Sequence, residues 1–148
     1  MPMLRRGQDS SPGQTLVEFA LIVPIFILVV MGVFDVGRAI YAYSTINNAA
    51  HEAVRLAIVD QNTADVRDEA VGRAVGVNVT PADVTVRWLS ANYTDVAPCN
   101  ATPRFGCAVE VTVAYEFNAA TPIINTVMGP IDLQGLARQP IERTYTSP

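Results

Sequence analysis

The sequence predicts an α+β chain: one long N-terminal helix that crosses a membrane and continues outside as an amphipathic helix, then a second short helix and a three-stranded antiparallel sheet. Three patterns predict this. Residues 19–34 carry no charge, apolar residues then recur at steps of three and four from Ala39 to Ala57, and residues 108–117 alternate between apolar and polar.

The membrane helix comes first. Adding Leu16 and Val17 to the uncharged run gives 19 residues, 16–34, interrupted by Glu18 alone. At 1.5 Å per residue this is roughly 28 Å, close to a hydrocarbon core of about 30 Å, so one crossing fits. Arg5 and Arg6 precede the span, while Asp35 and Arg38 follow it and nearly cancel. The positive-inside rule therefore puts the N-terminus in the cytoplasm and the remaining chain outside. A cleavable secretory signal is the competing reading. Its apolar core is shorter, about 7 to 15 residues, and ends in small residues, whereas here Asp35-Val36-Gly37-Arg38 follows. Pro24 lies inside the span and removes the bond to the Ala20 carbonyl, which leaves two readings: a kink that lets the helix bend, or a proline tolerated in a membrane helix.

Beyond the span, Ala39, Tyr43, Ile46, Ala50, Ala53 and Ala57 form one stripe, and Ser44, Thr45, Asn48, His51, Glu52 and Arg55 fall opposite. Small residues in the stripe suit close packing of a sheet or second helix. The continuous helix is expected over residues 15–59. His51-Glu52-Ala53-Val54-Arg55 begins like a zinc-protease motif but has Arg55 where a second histidine is required, so His51 reads as a solvated helix residue and no metal is expected.

A turn at residues 60–63 precedes a second helix over 64–75, with Val66, Ala70 and Ala74 on one face and Gly76 past its end. Three strand patterns follow. Val84, Val86 and Trp88 alternate with Thr85 and Arg87; Val109, Val111, Val113, Tyr115 and Phe117 alternate with Ala108, Glu110, Thr112, Ala114 and Glu116. Ile131, Leu133 and Ala137 alternate with Asp132, Gln134 and Arg138, but Gly135 and Pro140 weaken this third strand and mark it as an edge. The sheet then has one apolar face, and the small-residue stripe is its available partner. Residues 119–130 include Ile123, Ile124, Val127 and Met128, too apolar for a bare solvent loop; they tuck under the sheet or touch a neighbouring subunit.

Composition narrows the function classes. The 148 residues leave room for one modest domain after the span. Net charge is −4, with acidic residues gathered after the span, so there is no basic stripe for nucleic acid. Two cysteines, Cys99 and Cys107, cannot make a four-ligand zinc site, and His51 is distant in sequence. In the oxidising compartment that the topology implies, a disulfide fits them better than free thiols. No Ser or Cys nucleophile sits near a base, so the reading is not an enzyme, with no cofactor and no small-molecule substrate. Asn78, Asn92 and Asn100 each begin an Asn-x-Thr sequon, to which no function is attached.

The most informative segment is Gly13-Gln14-Thr15-Leu16-Val17-Glu18-Phe19. A carboxylate at the membrane edge requires a reason, since acidic side chains cost about 2.5 to 3.5 kcal/mol at a bilayer centre and less near the interface. One account is local: Thr15 and Glu18 form a capping box, and the carboxylate faces the positive helix end. The other begins with a resemblance. Gly13 with Glu18-Phe19 resembles the processing site of type IV prepilins of the Tad class. The run from Gly13 to Leu21, the apolar span, Phe34-Asp35-Val36-Gly37-Arg38-Ala39 and Asn47-Asn48-Ala49-Ala50 resemble the TadE-like family of pilus assembly proteins.

That resemblance is strong from Gly13 to about Arg55 and a matter of layout beyond. It implies a pilin-like architecture, with a leader over 1–13, a transmembrane helix over 14–36 and an extracytoplasmic α+β domain over 37–148. It also implies that a prepilin peptidase cuts between Gly13 and Gln14, and that Glu18 of one subunit pairs with the Gln14 amine of a neighbour while Phe19 and the span pack in a filament core. The implied partners are the peptidase, other pilins, inner-membrane assembly proteins and the lipid bilayer; the implied place is the bacterial cytoplasmic membrane or the pilus. Gln14 replaces the aromatic that commonly follows the glycine in major type IV pilins and type II secretion pseudopilins, which favours the Tad type. His51 and Ala53 stand in a segment where the family commonly has an arginine and a glycine. The leading expectation is thus a minor pilin or pseudopilin acting in pilus assembly and adhesion. The alternative is an unprocessed, single-pass extracytoplasmic binding or sensing domain using the loop 90–106.

Overall fold

The computed structural model describes residues 12–93, 99 and 103–142. Residues 1–11, with Arg5 and Arg6, lie outside the described residues, as do Asp95, Asn100 and most of the loop that carries Cys99.

Helix α1 runs from Pro12 to Ala57, 46 residues, with Pro24 inside it. At 1.5 Å per residue it is about 69 Å long. Helix α2 (Thr63–Arg73) follows the turn that begins at Asp60, and the Asn62 side chain caps it by accepting from the Ala64 N–H. It ends earlier than the periodicity suggested, at Arg73, and Gly76 turns the chain with φ +79°. A Cβ on Gly76 would sit 3.0 Å from the Tyr41 hydroxyl, which itself donates to the Val75 carbonyl and pins this corner to α1.

Strands β1 (Val84–Ser90), β2 (Cys107–Phe117) and β3 (Ile131–Pro140) form an antiparallel sheet in the order β1-β2-β3. Val84, Trp88, Val109, Val111, Val113, Phe117 and Ala137 are buried on the expected face, where Val86 and Tyr115 are half-buried, while Ala108, expected on the opposite face, is buried too. β3 is an edge strand, as expected, yet it pairs along its whole length, and Gly135 strengthens the packing. A Cβ there would lie 2.5 Å from the Ile46 carbonyl oxygen, so the bare strand backbone lies directly on the backbone of α1.

The buried stripe of α1 differs from the predicted one. Ile46, Ala50, Ala53 and Ala57 are buried as expected, but Ala42, Ala49 and Val54 join them, while Tyr43 is 52% exposed. The stripe is wider because both α2 and the sheet pack on α1, so two adjoining faces are covered. Small side chains let both neighbours approach closely.

Two further differences are local. Glu110, expected on the solvent face of β2, is buried between Arg87 of β1 and Arg138 of β3, which are directly opposite it in the register. Its two oxygens take one guanidinium each, and pairing makes burial of the charge tolerable. Residues 122–128 form a third helix, α3 (Pro122–Met128), which does not tuck under the sheet: none of its residues is buried.

Candidate functional site

The residues singled out from the sequence lie at the near end of α1. The helix starts at Pro12, so Thr15 is inside it and is not its N-cap. The Glu18 carboxylate instead accepts from the Gln14 side-chain amide, 3.4 Å away and one turn earlier. A Cβ on Gly13 would meet nothing within 4 Å. Leu16 is 70% and Phe19 68% exposed, and Glu18 is exposed as well. The motif is thus presented on a bare helix, open to a protease or to another helix.

From there to Phe34 the apolar side chains of α1 remain largely exposed, Leu21, Ile25, Phe26 and Val33 among them. Such a stripe is unstable in water and is matched by hydrocarbon or by other helices. α1 is long and apolar enough to cross a membrane. Pro24 sits in the middle of this stretch with helix on both sides.

The far end of the stretch is where the folded head takes hold. Asp35 is buried at 4% exposure, and its carboxylate accepts from the Ala120 N–H at 2.8 Å and the Thr121 N–H at 2.9 Å. Arg38, one turn on, pairs with the same carboxylate at 3.3 Å and lays its guanidinium over the Phe117 ring, 5.5 Å from the centroid. The loop leaving β2 is therefore fastened to α1 at the point where the uncharged run ends. In the sequence Asp35 and Arg38 read as cancelling charges and as part of the string that carries the family resemblance; the signal of a structural role was a carboxylate placed directly after an apolar span, where an unpaired one is costly.

Cys99 and Cys107 form a disulfide, with their Cα atoms 5.8 Å apart, and both are buried against the open end of the sheet. His51 is exposed on α1, and the neighbouring Glu52 pairs with Arg55 at 3.4 Å, so the polar residues of the protease-like string lie on the solvated side of the helix while Ala53 and Val54 are buried. Among the described residues, Cys99 and Cys107 are far along the chain from the motif at Gly13 to Phe19, and nothing brings the two together.

Fold and site together define a class: among the described residues, one candidate membrane helix continuous with a small α+β head, its apolar half bare and its other half forming the spine of the head. Residues 13–55 match the model of the family described as TadE-like protein, so the N-terminal helix of this chain is TadE-like. The matched stretch begins at the glycine of the motif and ends within α1, leaving α2, α3 and the sheet beyond it. No curated protein and no solved structure matches the chain.

Proposed function

We infer that this chain is a minor pilin or pseudopilin of a Tad-type pilus, made as a precursor and cut by a prepilin peptidase between Gly13 and Gln14. The observation that carries this reading is the coincidence of the TadE-like match, residues 13–55, with one unbroken helix whose first residues are free of the head. Cleavage there leaves Gln14 as the first residue and Glu18 as the fifth. A new amine at the helix start gains from a carboxylate at the membrane edge, and in a filament Glu18 of one subunit pairs with the Gln14 amine of the next. Phe19 and the apolar face then pack against neighbouring helices, while Pro24 loosens the helix during extraction from the bilayer. The head, over residues 37–148, faces outward, and contributes to assembly and surface adhesion through contacts rather than chemistry.

Mass spectrometry of the mature N-terminus tests this reading. The expected protein begins at Gln14 in cells that contain the peptidase, and Gly13→Ala leaves the precursor uncut. A mature protein that still begins at Met1 would instead favour a permanently anchored binding or sensing domain.

A further inference from the structure

We propose that α3 is a second membrane contact: a short apolar wedge that lies in the outer leaflet beside α1 and sets the height of the head above the bilayer. The proposal rests on the reading of α1 as a membrane span.

The height of α3 follows from its contacts. Ile124 reaches to 3.5 Å from the Cβ position of Gly32, and the groove between the two helices extends down to Val29. Gly32 and Val29 precede Phe34, the last residue of the uncharged run, by roughly 3 and 8 Å of helix rise. α3 therefore overlaps the outer end of the span. An interfacial helix buries its apolar face to about 5 to 10 Å, which is the same depth.

The surface of α3 suits that place. Ile123 is 59% and Val127 79% exposed, and Met128, at the edge of the groove against α1, is 64% exposed. Residues 118–131 contain no charge, and acidic residues resume on both sides at Glu116 and Asp132. Several polar groups of the segment are satisfied internally, as hydrocarbon requires, although the Thr121 hydroxyl is buried without a partner among the described residues. The Ala120 and Thr121 N–H groups end on Asp35, Pro122 has none, the Thr126 hydroxyl donates to the Pro122 carbonyl at 2.7 Å, and the Gly129 N–H donates to the Asn125 carbonyl. Asp35 thus has a purpose beyond packing: it fixes the wedge to the span at a set level.

The test uses the full chain, disulfide intact, in liposomes, with an environment-sensitive fluorophore on Val127→Cys, on Ile27→Cys in the span and on Thr85→Cys on the outer face of the sheet. Quenching is compared for lipids carrying a nitroxide near the headgroup, lipids carrying it near the chain end, and aqueous iodide. The proposal expects the Val127 probe to lose emission most with the shallow nitroxide, the Ile27 probe with the deep one, and the Thr85 probe with iodide alone. Iodide quenching at Val127 with deep quenching at Ile27 overturns the wedge while leaving the span intact. Shielding of Val127 from all three quenchers overturns it in favour of contact with another copy of the chain. Absence of lipid quenching at Ile27 overturns the span and the wedge together.

Discussion

The carboxylate of Asp35, on the long helix, holds the backbone N–H groups of Ala120 and Thr121 at 2.8 and 2.9 Å, across 85 and 86 residues of chain. Replacing Asp35 by Ala leaves two donors without their acceptor in a largely buried place, at a cost of about 1 to 3 kcal/mol. Asp35→Asn keeps one carbonyl oxygen and is expected to lose less. Denaturant unfolding of the head in detergent micelles, followed by Trp88 fluorescence, measures the order Ala worse than Asn.

Gly135 and Gly72 should respond oppositely to alanine. At Gly135 a Cβ would lie 2.5 Å from the Ile46 carbonyl oxygen, so Gly135→Ala must push β3 off α1, an overpacking penalty of about 1 to 3 kcal/mol. At Gly72, in α2, a Cβ meets nothing within 4 Å, and Gly72→Ala should stabilise the helix by about 0.5 to 1 kcal/mol. Equal melting temperatures for the two variants would contradict this account.

Reduction of the Cys99–Cys107 bond removes a small closed loop from the unfolded chain, worth roughly 2 to 3 kcal/mol by chain entropy. The Cys99→Ser, Cys107→Ser double variant should melt lower than the oxidised parent, and reductant should shift the parent by a similar amount while leaving the variant unmoved.

Acid should weaken the turn before β1. The Thr80 hydroxyl and backbone N–H both donate to the Asp83 carboxylate, at 2.7 and 2.8 Å, and hold its pKa below the usual value. A folded-state pKa below the unfolded one means that the stabilisation is present above the ordinary carboxylate range and fades as pH falls through the depressed value. The Asp83→Asn variant should therefore show a flatter stability profile on the acid side than the parent, with the two curves converging at the lowest pH.

Much of this molecule is legible in its residue order because the relevant signals are periodic. Hydrocarbon selects an unbroken apolar run, so the candidate span is visible from residues 19–34 alone. The alternation in β2 is visible because one face of a sheet is buried and the other is not. The glycine and Glu18-Phe19 spacing is local as well, and it agrees with the TadE-like match over residues 13–55.

What depends on two distant segments meeting was not legible. Gly135 reads as a weak point in a strand until Ile46 is brought against it, and Glu110 reads as solvated until arginines from both neighbouring strands converge on it. Residues 119–130 showed their apolar character but not their position, because that position is fixed by Asp35 catching the backbone of Ala120 and Thr121. Residue order by itself determined the elements, the long helix and its apolar half, since each depends on near neighbours along the chain. Tertiary structure alone decided the close approach of strand and helix, the buried ion triad and the level of α3, since each requires groups far apart in sequence to share one small volume.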